Sequence, residues 1–287
     1  MVQASRTLTD PGEARMPRGF VLLEGGTNID WSHWYLTDEE DMGQSPEQHA
    51  AIQRFLSAAR TLAFERGWSP EKLLIASDCF FGWMEAEPLV RVSPDVFVLD
   101  DPPGRPYPAS FLTWRGVKPP RFALEIVSEK WVKDYDDAPD KYAVLGTREL
   151  VIFDAGNSPR RNVRRERIQV FRRDALGALV RVYHGSGPAF SVELDCWLVV
   201  DQNGDALELA LARDPNGRDL IPTEGQRAEL ERSRAEAEKA RAEEEKRRAE
   251  EEKARAEEEK RRADRESQRA KALAARLRAL GIDPDDR

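Results

Sequence analysis

The sequence is poor in cysteine, in long apolar runs and in the short motifs of several enzyme classes. Its 287 residues include only two cysteines, Cys79 and Cys196, and neither has a CxxC partner. Neither a disulfide framework nor a thiolate zinc site is therefore supported. No stretch approaches the roughly 20 apolar residues of a membrane span, and the first residues lack the apolar centre of a signal peptide. We therefore expect a cytoplasmic protein that does not enter a membrane.

Three catalytic motifs and an excess of positive charge are also missing. Without a Walker glycine loop, a GxSxG elbow or an HExxH helix, nucleotide hydrolysis, serine esterase chemistry and zinc protease chemistry have no support. The 53 acidic residues outnumber the 45 Lys and Arg, which gives a formal charge of -8 and no global attraction for nucleic acid. A local basic groove and a carboxylate metal site remain compatible with this balance.

Composition divides the chain into five segments. Residues 1–18 are polar and predict a flexible N-terminal arm. Residues 19–200 carry most of the apolar residues and predict the globular domain, and residues 201–225 predict a β-rich appendage and linker. Residues 226–280 are rich in Ala, Glu, Lys and Arg, and residues 281–287 form a short tail.

Apolar periodicity predicts a mixed α/β domain. A helical pattern follows Ser45-Pro46, a pair that suits a helix N-terminus, and continues to Arg66. Apolar and β-branched runs then predict strands of one sheet, and the proline-rich segment from 100 to 120 predicts a loop beside the candidate site. A helix ending near Leu145, a strand and a marginal hairpin follow. The predicted strands are Leu73–Ser77, Cys79–Trp83, Val96–Leu99, Phe122–Val127, Glu149–Asp154, Ile168–Arg172 and Leu179–His184.

The C-terminal segment repeats every seven residues. RAEEEK begins at Arg241, Arg248 and Arg255, and alanine occupies one heptad position throughout. The second seam position is mostly charged, so a strong leucine zipper is not expected. Acid-to-base pairs four residues apart support an isolated helix. This pattern predicts a long charged helix that either stands alone or forms a coiled coil, and hence a homo-oligomer, through alanine.

Two carboxylates mark the candidate site. Asp95 precedes the strand that begins at Val96, and Glu125 lies within the next predicted long strand. If these strands pair, both side chains can project to one side of the sheet. A hard divalent cation can then use both carboxylates and the backbone carbonyl of Ile126. The alternative is a turn cap at Asp95 and a surface ion pair at Glu125, since Pro-Asp is common in turns.

The segments SPDVFVLD and FALEIVSEKWVKDYDDAPDKYAVLGTRELVIFD resemble the Uma-two-type restriction endonuclease family of the PD-(D/E)XK nuclease superfamily. The resemblance covers about residues 45 to 200, and the RAEEEK tail is similar to that of many members. It implies a restriction endonuclease-like mixed β-sheet core flanked by helices. It also implies DNA as the substrate, Mg²⁺ or Mn²⁺ as the cofactor, and Asp95 and Glu125 as metal ligands.

The sequence departs from the superfamily pattern at Val127, where lysine is usual. Family members commonly carry a lysine in the next helix instead. This resemblance favours Lys141 as the catalytic cation, although the more usual position corresponds to Ala138, and Lys130 and Lys133 compete. The alternative for Lys141 is a solvated helix charge.

Two accessory residues complete the predicted site. Asp134 can orient a lysine or a water, or simply cap a helix. Glu47 can complete the carboxylate set from the first long helix, or simply favour that helix N-terminus. The acidic balance and the missing strand lysine also support a different function, in which a non-catalytic nuclease-like scaffold acts through its C-terminal helix.

Overall fold

The computed structural model describes residues 31–37, 45–127, 137–156, 166–203 and 206–279. Contacts between Cα atoms divide the chain into two compact units, residues 1–225 and residues 226–287. No helix in the described ranges combines the length and the apolar character needed to cross a lipid bilayer.

The first long helix, α1 (Pro46–Glu65), confirms the predicted helical pattern. Its N-terminus is capped by Ser45, whose Oγ accepts a hydrogen bond from the Gln48 amide at 3.2 Å. Pro46 occupies the first turn, where its missing N–H costs nothing. The apolar stripe is buried, and its largest members are Ile52, Phe55, Leu56 and Leu62.

A six-stranded mixed sheet forms the centre of the first unit, in the order β1-β4-β6-β7-β8-β9. Strands β6 and β7 are parallel and are connected through helix α2 (Ala138–Leu145), whereas the other neighbours are antiparallel. The predicted hairpin at the sheet margin is confirmed as β8–β9. The strands are β1 (Leu73–Ala76), β2 (Phe80–Gly82), β3 (Arg91–Val92), β4 (Val96–Asp100), β5 (Ser110–Leu112), β6 (Phe122–Ile126), β7 (Glu149–Phe153), β8 (Ile168–Arg173), β9 (Leu179–Gly185), β10 (Ala189–Ser191), β11 (Cys196–Asn203) and β12 (Ala206–Ala212).

Strand β2 does not belong to the main sheet, so the prediction of one sheet is wrong at this position. It pairs antiparallel with β3 and parallel with β5 in a separate three-stranded sheet. The chain turns between β1 and β2 at Asp78, which adopts a left-handed backbone with φ of 54°. The predicted loop between residues 100 and 120 supplies β5 to this small sheet.

The two faces of the main sheet carry different helices. Side chains of Val96, Val98, Phe122 and Leu124 pack with α1 in one buried cluster. The alternate residues of β4 and β6 pack with α2 in a second buried cluster, which contains Phe97, Leu99, Ala123 and Tyr142. The protein therefore has the predicted mixed sheet flanked by helices.

A third sheet, β10-β11-β12, joins the α1 side of the core. Alternate residues of β11 and β12, among them Leu198, Leu209 and Leu211, are buried in the same cluster as the apolar stripe of α1. The boundary predicted at residue 200 falls inside β11 (Cys196–Asn203). The segment predicted as an appendage thus contributes to the main core.

The C-terminal helix α3 (Glu224–Ala279) has 56 residues, none of which is buried. The predicted long charged helix is confirmed. Ion pairs within this helix join arginine to glutamate four residues away, as in Arg248–Glu244 and Arg262–Glu266.

Candidate metal site at the paired ends of β4 and β6

The structure brings Asp95 and Glu125 to the same face of the main sheet. Strands β4 and β6 are antiparallel, with Val96 opposite Leu124 and Phe97 opposite Ala123. Continuing this register by one residue places Asp95 opposite Glu125. Directly opposite residues of paired strands project to the same side. Asp95 is buried and Glu125 is half-buried, so both carboxylates lie where a cation would be only partly hydrated.

Pro94 explains why side chains, and not the backbone of the neighbouring strand, hydrogen-bond to the Ile126 peptide. The same register places Pro94 opposite Ile126, and proline has no N–H to donate to the Ile126 carbonyl. The Ile126 carbonyl instead accepts a hydrogen bond from Gln48 Nε2 at 3.3 Å. The Ile126 N–H donates to Asp95 Oδ2 at 2.6 Å. The backbone oxygen predicted as a metal ligand is therefore outside the strand ladder and faces a polar side chain.

Glu125 is held by the helix that covers this face. The Tyr142 hydroxyl donates a hydrogen bond to Glu125 Oε1 at 2.5 Å across the interface between α2 and β6. The Tyr142 side chain is completely buried, so its ring position is fixed by packing. A charge-assisted bond of this kind restricts the carboxylate to one orientation.

Lys141 is buried, with 4% of its surface exposed. It shares the sheet-facing side of α2 with Ala138, Tyr142 and Leu145, all buried and separated by helical spacing. A solvated helix charge is thus the wrong interpretation of this lysine. Its position beside Tyr142 places its stem on the face that carries Glu125.

Val127 lies on that face as well. It is two residues beyond Glu125 and packs against the cluster that contains Tyr142. The position at which the superfamily pattern has lysine is therefore occupied by an apolar side chain in contact with the core. The cation predicted there from the wider pattern has to come from another element.

The accessory prediction for Glu47 is not supported by its position. Glu47 is exposed, and hydrogen bonds from its own backbone N–H and from Ser45 lower the pKa of its carboxyl group. The neighbouring residue, Gln48, is the one that turns toward the sheet and reaches Ile126. A step of one residue along a helix rotates the side chain by about 100° around the helix axis. This rotation is enough to separate a solvent-facing position from a sheet-facing one.

Three further candidates, Lys130, Lys133 and Asp134, lie outside the described residues.

Asp154 is a buried carboxylate that sequence reasoning did not include. It follows β7, is 2% exposed, and accepts a hydrogen bond from the Gly156 amide at 2.9 Å. The parallel register of β6 and β7 pairs Ile126 with Phe153, so Asp154 lies beside Val127. Its neighbours Phe153 and Ala155 pack on the α1 side, which places Asp154 on the face of Glu125. The sequence feature that could have identified Asp154 is its position directly after the apolar run of the predicted strand Glu149–Asp154.

The described part of the chain brings together no set of three or more His, Cys, Asp or Glu side chains that could hold a metal. Glu47 and Asp154 therefore do not complete a three-carboxylate site with Asp95 and Glu125. The candidate oxygen donors at this end of β4 and β6 are the carboxylates of Asp95 and Glu125, on the α2 side of the sheet, and the Ile126 carbonyl, which accepts from Gln48 of α1.

The mixed sheet flanked by helices is the restriction endonuclease-like core that the sequence predicts. The family model Uma2, described as "Putative restriction endonuclease", matches residues 29–196. The chain belongs to this family.

Comparison with solved structures finds a protein titled as a putative nuclease belonging to DUF820, from Anabaena variabilis. That protein is 12% identical, with a TM-score of 0.33, and the match covers 54% of this chain and 76% of the other. No curated protein matches this chain.

Proposed function

We propose that this protein is a Mg²⁺- or Mn²⁺-dependent endonuclease that hydrolyses phosphodiester bonds in DNA. The observation that carries the proposal is the placement of Asp95 and Glu125 at facing positions on one sheet face, beneath a helix that presents Lys141 and Tyr142. Membership of a family described as "Putative restriction endonuclease" supports DNA as the substrate. The cytoplasm is the proposed compartment, because both cysteines are free thiols.

The donor set suits a hard divalent cation. Asp95, Glu125 and the Ile126 carbonyl offer only oxygen atoms, which Mg²⁺ and Mn²⁺ prefer, and no thiolate or imidazole is needed. Three protein ligands also fit Mg²⁺, which usually keeps several waters. A bound divalent cation supplies an activated water and neutralises charge on the attacked phosphate.

The other residues of the site act on orientation and charge. Tyr142 holds the Glu125 carboxylate through its hydroxyl, and Gln48 and Asp95 fix the Ile126 peptide through its two polar atoms. Lys141 supplies a positive charge to the phosphate as negative charge develops in the transition state. Its buried position strengthens this effect, because charges interact more strongly away from water.

Calorimetric titration with Mn²⁺ and cleavage of supercoiled plasmid DNA test the proposal together. Glu125→Gln keeps the size of the side chain and removes its charge, so we expect loss of Mn²⁺ binding and of cleavage. Glu47→Gln is the matched control, since it makes the same change on the exposed end of α1. Equal Mn²⁺ affinity in Glu125→Gln and the parent would show that the metal site is misassigned.

A non-catalytic scaffold is the second candidate function. It is favoured by the apolar Val127 and by the lack of a third converging carboxylate among the described residues. A parent protein that is folded, binds no Mn²⁺ and cleaves neither supercoiled, linear nor branched DNA would support the scaffold and remove the nuclease.

A further inference from the structure

The face of α3 that contains alanine is bordered by two columns of opposite charge. Three positions after each of six alanines of the heptad column there is a glutamate, and four positions after the first five of them there is a lysine or arginine. Residues at these spacings flank the alanine on its two sides along the helix. The alanines are Ala228, Ala235, Ala242, Ala249, Ala256 and Ala263; the glutamates are Glu231, Glu238, Glu245, Glu252, Glu259 and Glu266; the bases are Arg232, Lys239, Lys246, Lys253 and Lys260.

The charges in these columns are largely unused within the helix. The ion pairs of the described part of α3 use Arg227, Arg247, Arg248 and Arg262 as their cations. The four lysines of the basic column take part in none of them, and neither do the four central glutamates of the acidic column, Glu238, Glu245, Glu252 and Glu259. The alanine face thus presents unpaired complementary charge on both of its borders.

Symmetry decides which partner orientation this face accepts. If a second copy of α3 lies parallel to the first, the two-fold axis runs along the helices, and the acidic border of each copy meets the basic border of the other. If the second copy lies antiparallel, glutamate meets glutamate and lysine meets lysine along the whole length. Like charges in direct opposition exclude the second arrangement.

The last turns of the helix fix the register. Leu273 stands in the glutamate column and Leu277 in the alanine column, so the charged pattern is replaced by an apolar one. Leu273 is 61% exposed in the single chain. In the aligned parallel pair Leu277, in the alanine column, meets Leu277 of the second copy, whereas a shift by one heptad places it against Ala270. Alanine side chains permit close approach of the two helices along the rest of the seam.

We propose that α3 associates with α3 of a second copy of this chain, parallel and in register, through the alanine face bordered by Glu238–Glu259 and Lys239–Lys260. Both copies of residues 1–225 are then attached to the same end of the pair. An antiparallel pair would attach them to opposite ends of a helix about 84 Å long, at 1.5 Å per residue over 56 residues.

The consequence for activity rests on the proposed nuclease function. Each site cuts one strand, so two sites delivered by one dimer cut both strands of a duplex within a single binding event. The dimer should therefore give linear product from supercoiled plasmid with little accumulation of the nicked circle. This product ratio depends on pairing, whereas the existence of any product depends on the metal site.

Cross-linking of the full chain tests the orientation. Two variants, Ala235→Cys and Ala270→Cys, carry tags of different size. Each is treated with a short bismaleimide alone, and the two are also treated together after mixing and equilibration. A parallel in-register pair predicts cross-linked product from each variant alone, and no product that joins position 235 to position 270. Predominant 235-to-270 product would overturn the proposal, and so would a monomeric molar mass of the parent at every concentration in sedimentation equilibrium.

A charge reversal tests the borders. Lys246→Glu with Lys260→Glu turns basic border positions acidic and should raise the dimer dissociation constant by roughly tenfold or more at low salt. Arg247→Glu with Arg261→Glu makes the same charge change on the opposite side of the helix, and should leave the dissociation constant within about twofold of the parent, with circular dichroism confirming the helix in both. Equal weakening by both pairs would refute the assigned face. Asp95→Ala separates the two proposals, because it should abolish cleavage and leave dimerisation unchanged.

Discussion

Asp95 has two roles in this structure that two substitutions can separate. Its Oδ2 accepts a hydrogen bond from the Ile126 N–H at 2.6 Å, and the residue is 7% exposed. Asp95→Ala leaves that amide without its partner in a buried position, which costs about 1–3 kcal/mol of unfolding free energy. For a unit of this size each kcal/mol lowers the midpoint of thermal unfolding by roughly 2–4 °C.

Asp95→Asn keeps an oxygen acceptor for the same amide and removes the negative charge. We therefore expect its metal-free stability to lie within about 1 kcal/mol of the parent, well above that of Asp95→Ala. Its response to metal should differ instead. Mn²⁺ at one hundred times its dissociation constant stabilises a binding protein by about 2.7 kcal/mol, and this gain should be lost in Asp95→Asn.

Urea unfolding with and without Mn²⁺ measures both quantities. Asp101→Asn is the matched control, because Asp101 is exposed, lies beyond the far end of β4 and pairs with Lys118. Its left-handed backbone, with φ of 48°, is one that asparagine also adopts. If Mn²⁺ stabilises Asp95→Asn as much as the parent, Asp95 is a backbone cap and not a ligand. If Asp95→Ala is as stable as Asp95→Asn, the bond to Ile126 contributes nothing.

Tyr142→Phe should raise the dissociation constant for Mn²⁺ by about tenfold to a hundredfold in calorimetry, because the hydrogen bond that orients Glu125 is worth roughly 1.5–3 kcal/mol. Unchanged affinity would show that metal binding does not depend on this hydrogen bond. Lys141→Met keeps the apolar stem and removes the charge, so plasmid cleavage should slow by about a hundredfold or more while Mn²⁺ binding persists. Parental turnover in that variant would remove Lys141 from the mechanism. Burial raises the pKa of Cys196 to about 12, so mass spectrometry should find iodoacetamide on this thiol only after denaturation; modification of the native protein would contradict its buried position.

The placement of the two acidic residues on one sheet face was predictable, because the alternation of side chains between the two faces of a strand is a local property. Alternation along Phe122–Ile126 assigns Glu125 to one face and Ile126 to the other, and the same reasoning assigns Asp95 once the two strands pair. The helical stripe of α1 was equally local. These patterns repeat over enough residues for one period to be distinguished from another.

The contact of Gln48 with Ile126 could not be predicted in the same way. The two residues are 78 positions apart, and their meeting depends on how α1 crosses the sheet. The polar residues at the start of α1 show no periodicity that selects Gln48 over Glu47, so an acid was the natural choice for a cation site. The small sheet of β2 escaped prediction for a related reason, since one left-handed residue, Asp78, redirects an otherwise ordinary strand.

The charges on the α2 face give a reason for the position of the lysine. In the part of the chain that the structure describes, Lys141 is the only buried cation, and it shares its face with the carboxylates of Asp95 and Glu125. One ammonium against these two carboxylates leaves one negative charge, which favours the binding of a cation. Asp95 and Lys141 are buried, so this imbalance is costly until a cation binds.

Helical periodicity shows how a lysine can serve this face from position 141. Ala138, the more usual lysine position by resemblance, and Lys141 are three residues apart on one side of α2. A shift of one turn changes where the stem begins but not the face on which the charge ends, and a lysine stem is long enough to absorb the difference. The apolar side chains at Val127 and Ala138 can therefore pack against the core while Lys141 keeps the positive charge that the proposed chemistry requires.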